Sequence, residues 1–108
     1  MSEPRAYTAD ETRDMILQQI KATVRYWANL PEVDQATGRK QTVEDRCDGV
    51  AFSILSMLDG ATMTLPAFDL VPMPHDEDQA FHKANGENWF GPESRVSDML
   101  HEHYSNIR

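Results

Sequence analysis

The chain has 108 residues, of which 40% are hydrophobic, 26% charged and 8% aromatic, a near-average globular composition that excludes wholesale disorder. Eighteen acids against ten bases give a net charge of -8. That balance argues against DNA or RNA binding, which needs Lys and Arg to neutralise phosphates, and equally against anionic membrane surfaces. A single cysteine, Cys47, excludes an internal disulfide and a zinc-ribbon or thioredoxin-like motif.

No stretch approaches the roughly 20 apolar residues of a membrane span. The opening Met1-Ser2-Glu3-Pro4-Arg5 lacks the regions of a signal peptide, so a soluble cytoplasmic chain is expected. Charge is segregated along the sequence. Residues 1–41 carry six acids and six bases, residues 42–71 five acids and Arg46 alone, and residues 72–108 seven acids against Lys83, Arg95 and Arg108.

Residues 1–7 read as a flexible arm and 8–108 as a single helical domain. Thr8-Ala9-Asp10-Glu11 is a capping box. It opens a helix to about Asn29 whose Ile16, Leu17, Ile20, Val24 and Trp27 recur at helical spacing. Leu30-Pro31 ends it. Residues 31–41 form a polar connector with a turn at Thr37-Gly38.

A second helix begins near Thr42, with Glu44 and Asp45 suiting its positive end. Val43, Cys47, Val50, Ala51, Ile54, Leu55 and Leu58 make a wide apolar stripe, and Gly60 is placed for a left-handed cap. The two helices are expected to pack antiparallel with both stripes buried and Cys47 inside as a small hydrophobe. Phe52 and Met57 fall off the stripe and need another cover.

Pro66, Pro72 and Pro74 exclude a helix or central strand over residues 61–74. Ala67–Val71 is an extended strip that must pair with residues 61–65, with the tail or with another subunit. A short third helix over about 75–84 follows, stopped by Asn85-Gly86. A last helix from about Ser94 to Asn106 is predicted, with a strand as the alternative there. The fold class is thus mainly α: an antiparallel two-helix hairpin, a proline-bounded strip and one or two short C-terminal helices, with minor β content.

His75, Asp78 and His82 fall within one helical stretch and offer imidazole and carboxylate ligands for a divalent metal, although the spacing matches no strong signature. The bland alternative is ordinary acid placement at a helix start. His101 and His103 point roughly 200° apart on a helix, which predicts a solvated side with one histidine tucked inward. Arg46 reads as an internal ion-pair partner for Asp48, Asp69 or a C-terminal acid. Its sharper reading is an anion clamp with Asp48, His82, Glu87 and Trp89 around a nucleotide-type ligand, guanidinium to phosphate and indole to base. Trp89 and Phe90 either plug the core's end or anchor an interface.

The run Glu44–Leu55, then Met57-Leu58-Asp59-Gly60, Leu65-Pro66, Pro74-His75, His82 and Asn85–Trp89, resembles a group of small uncharacterised bacterial and bacteriophage proteins. The resemblance implies no activity. It suggests, by analogy, a small acidic phage-type protein that acts by binding a host component. The sequence therefore points first to a non-catalytic binding protein, a phage-type inhibitor engaging a host protein through an acidic surface, without a resident cofactor and self-associating as a homo-oligomer. A binder or sponge for a small anionic ligand is the alternative, and a metal-dependent hydrolase the third reading.

Overall fold

In the computed structural model, which describes residues 3–107, the Thr8 hydroxyl accepts from the Glu11 amide at 3.1 Å. Glu11 Oε1 accepts in return from the Thr8 amide at 2.9 Å. This closes the capping box that opens α1 (Ala9–Ala28). Arg5 forks onto the same carboxylate at 2.8 and 3.1 Å, tying the arm to the helix it precedes. Met1 and Ser2, also assigned to that arm, lie outside the described residues.

α2 (Val43–Leu58) opens by the same device with aspartate in the third position. Thr42 Oγ1 accepts from the Asp45 amide at 3.0 Å and Asp45 Oδ2 from the Thr42 amide at 2.9 Å. The helix ends on Gly60 at φ +79°. There the Gly60 amide donates to the Met57 carbonyl and the Ala61 amide to that of Ser56, the paired bonds of a Schellman end.

The chain divides within α2 into two compact units, Met1–Leu55 and Ser56–Arg108. In the first, α1 and α2 meet through the end of α1. The Trp27 indole lies on Gly49, where an added Cβ would come within 2.6 Å of three ring carbons. Trp27 Nε1 also donates to Ser53 Oγ at 3.0 Å. Together with Arg46, these residues make the α2 face that receives α1.

That face corrects the expected packing. Arg46, Gly49 and Ser53 lie roughly 130° around the helix from the middle of the apolar stripe, by the 3.6-residue period. No residue of α1 is buried, and Leu17 and Val24 are exposed. At the head of the stripe Val43 is 80% exposed, and Cys47 is exposed rather than inside. The indole fits where the sequence is smallest, so the contact follows shape and hydrogen bonding instead of the widest apolar face.

The second unit holds the two buried hydrophobic residues among those described, Met57 and Leu65. Met57 is thus covered, as its place off the stripe required, while Phe52 stays partly exposed. After Gly60 the chain folds back: the Phe68 amide donates to the Leu58 carbonyl at 2.8 Å. β1 (Asp69–Leu70) then pairs antiparallel with β2 (Val96–Ser97), Asp69 opposite Ser97 and Leu70 opposite Val96. Of the three partners open to the strip, the tail supplies the pairing.

α3 (Asp78–Ala84) is shorter than predicted, because His75–Glu77 form a turn. In it the Asp78 amide donates to the His75 carbonyl and the His75 amide to Asp78 Oδ2, both at 3.0 Å. Its end repeats the α2 ending at Gly86, φ +68°. The predicted last helix is broken into a 3-10 turn (Pro92–Ser94), β2 and α4 (Leu100–Ser105). Asp98 and Met99 at positive φ interrupt it. The protein is mainly helical with a small two-stranded antiparallel sheet. Among the described residues no helix is long and apolar enough to cross a membrane.

Candidate functional site

The connector between α1 and α2 is built more closely than a polar linker. Asp34 organises it: its Oδ1 accepts from the amides of Ala36 and Thr37 at 2.8 and 3.2 Å. Its carbonyl accepts from Gly38, at φ +70°, and its amide donates to the Arg39 carbonyl. Val33 and Lys40 form an antiparallel bridge, and the Gln41 amide donates to the Glu32 carbonyl at 2.7 Å. The result is a tight hairpin standing beside the end of α1.

Three clefts surround this hairpin, and Gln41 lines all of them. One of about 340 Å³ runs past Trp27, Asp34, Arg39 and Asp45, with Arg39 held by Asp45 at 3.3 Å. A second, about 480 Å³, is walled by Tyr26, Trp27, Leu30, Pro31 and Val33, with Asp34 the charged residue among its lining. The third, about 550 Å³, includes Lys40 and Arg46. Gln41 Oε1 is buried and has no hydrogen-bond partner, an arrangement that costs about 1–3 kcal/mol until a donor arrives. Sequence reasoning missed this site because Trp27 was assigned wholly to the helix pair. The available signal was an aspartate-centred turn directly after a Tyr-Trp pair and a proline.

Among the described residues Arg46 is held by main-chain acceptors and not by the acids expected to pair with it. Its Nη1 donates to the carbonyls of Trp27 and Ala28 at 3.0 and 3.1 Å, and its Nη2 to that of Leu30 at 2.8 Å. The last carbonyls of a helix lack intrahelical partners and carry its negative end. A guanidinium one turn into α2 satisfies two such acceptors, Trp27 and Ala28, together with the Leu30 carbonyl just beyond the helix. Asp69, a suggested partner for Arg46, lies 3.9 Å from Arg95 instead. Asp48 is exposed on α2 in the first unit, whereas His82, Glu87 and Trp89 belong to the second.

Of the predicted ligand residues, the structure joins His82 and Glu87, Nδ1 to Oε1 at 3.3 Å. Trp89 is half-buried and its neighbour Phe90 exposed. The predicted metal set His75, Asp78 and His82 is not gathered. Among the described residues no three His, Cys, Asp or Glu side chains are grouped to hold a metal. His75 precedes α3, its amide occupies Asp78 Oδ2, and His82 turns to Glu87.

A pair that sequence reasoning did not join is Asp59 and His101. Asp59 Oδ2 accepts from the His101 amide at 2.8 Å and contacts ring Nδ1 of the same residue. The Asp59 side chain is 2% exposed. Burial raises its carboxyl pKa, but the amides of His101 and Leu100 and the His101 ring outweigh that effect and hold it below the ordinary value. His101 is the half-buried histidine and His103 the exposed one, so the apolar face that a single helix over 94–106 would give to His103 is taken by His101 instead.

Compared with known proteins, the chain matches no family model, no curated protein and no solved structure. Functional reading therefore rests on the geometry.

Proposed function

We propose that this is a non-catalytic binding protein, of the phage-inhibitor type, whose second unit engages a basic host protein. The observation carrying the reading is the surface of that unit. Residues 56–108 hold nine acids against three bases, and Met63, Met73, Phe81 and Phe90 project from the same unit into solvent. Exposed methionine and aromatic side chains supply adaptable and anchoring apolar contacts, and surrounding acids steer a basic partner. The exposed apolar residues also support self-association as a homo-oligomer, which light scattering of the purified chain would read directly.

Affinity capture from host lysate at stepped salt tests the main reading. A single basic protein should be retained at low salt and released as ionic strength rises. The paired variant Met73→Ser and Phe81→Ser should lose it with the fold unchanged by circular dichroism. Retention insensitive to both salt and these substitutions would refute the reading.

A further inference from the structure

We infer that the cleft walled by Tyr26 and Trp27 is a binding site for an organic cation, a guanidinium or alkylammonium group, independent of the acidic second unit. Its two aromatic rings and its charged side chain offer electron density to a cation. Tyr26 and Trp27 stand edge to face with centroids 5.6 Å apart and planes at 89°, and aromatic rings in clefts attract such cations through their quadrupoles. Asp34 contributes the charge. Gln41 also lines the cleft, and its Oε1 is buried and lacks a donor.

Among the described residues no cationic side chain lines the cleft. The nearest guanidinium of the hairpin, Arg39, is paired with Asp45 in the adjoining cleft. The volume of about 480 Å³ lies within the usual small-ligand range. Leu30, Pro31 and Val33 give the aliphatic stem of such a cation an apolar wall. The N–H groups of its head meet Gln41 and Asp34. The same head could arrive as a free amine or as a Lys or Arg side chain of a partner protein.

The test is fluorescence titration in a Trp89→Phe background, which leaves Trp27 as the one indole. The probes are agmatine, an arginine-containing hexapeptide and the same peptide with neutral citrulline for arginine. Saturable change in Trp27 emission with agmatine and the arginine peptide, and none with citrulline, is the expected result. Equal affinity for the two cations assigns a free amine; at least tenfold tighter peptide binding assigns a partner's side chain.

Asp34→Asn keeps an oxygen for the Ala36 and Thr37 amides while removing the charge, and should weaken binding at least tenfold. Gln41→Leu should abolish binding yet raise the melting temperature, because it removes the orphaned acceptor. A purely structural glutamine would move that temperature down. No titration with either cation, equal binding of citrulline, or full binding by both variants would overturn the proposal.

Discussion

Asp59, just past the last turn of α2, grips both the amide and the ring of His101 in the first turn of α4. Met99, at the head of α4, has a left-handed backbone and no side-chain cap. The Asp59 carboxylate therefore does the capping from 42 positions away.

This bond makes stability fall in acid. The folded Asp59 pKa is depressed, so its contribution is complete above the unfolded carboxyl value, about 3.9, and disappears as pH drops through the lower folded value. Asp59→Ala should cost about 2 kcal/mol at neutral pH, as expected for a hydrogen-bonded charged group. Urea unfolding of both proteins from pH 7 to pH 2 checks it: the gap between them should narrow across that window.

Glu11 obeys the same sign at the other end of the chain. Its carboxyl is lowered to about 2, first by Arg5 and then by the Thr8 amide. The support it gives the start of α1 is whole above the ordinary value of 4.5 and lost as pH falls toward about 2. The protection of the residue 9–12 amides, measured against their intrinsic exchange rates at each pH, should fall over that interval in the wild-type protein. In Glu11→Gln the exchange should already be faster at neutral pH.

Gly49→Ala sets helix propensity against space. Alanine should favour α2 by up to about 1 kcal/mol, but its Cβ would stand 2.6 Å from the Trp27 ring carbons. Overpacking of that kind costs about 1–3 kcal/mol, and the displaced indole must also release Ser53. A net loss of stability is expected in thermal unfolding, with Trp27 emission shifted to longer wavelength.

Two glycines with the same role should answer alanine differently. Gly60 and Gly86 both end helices at positive φ, but only at Gly60 does an added Cβ strike the Ala67 backbone, at 2.6 Å, while at Gly86 it meets nothing within 4 Å. Gly86→Ala should cost about 1–2 kcal/mol from the left-handed backbone alone, and Gly60→Ala distinctly more. Parallel thermal melts of the two variants decide it.

The helix boundaries that were readable in advance share one property: their chemistry is local. Thr8 with Glu11, Thr42 with Asp45, and the glycines at 60 and 86 act within a single turn. The misjudged features are joined by distance. Arg46 reaches carbonyls 16 to 19 positions earlier. The tail failed as one long helix because Leu70 and Val96 pair across the strip, and no periodicity within residues 94–106 records that demand. Gln41 gave no sign of itself at all, since an orphaned amide oxygen exists only once the hairpin has closed over it.

Three of the six methionines stand at opposite extremes of exposure. Met57 is sealed inside the second unit, whereas Met63 and Met73 stand almost wholly in solvent. Mild peroxide will therefore convert the outer two to sulfoxides long before it reaches the inner one. A protein so treated keeps its scaffold but presents polar, chiral sulfoxides where it had soft thioethers, so oxidative chemistry acts on its exposed surface while leaving the packed interior alone.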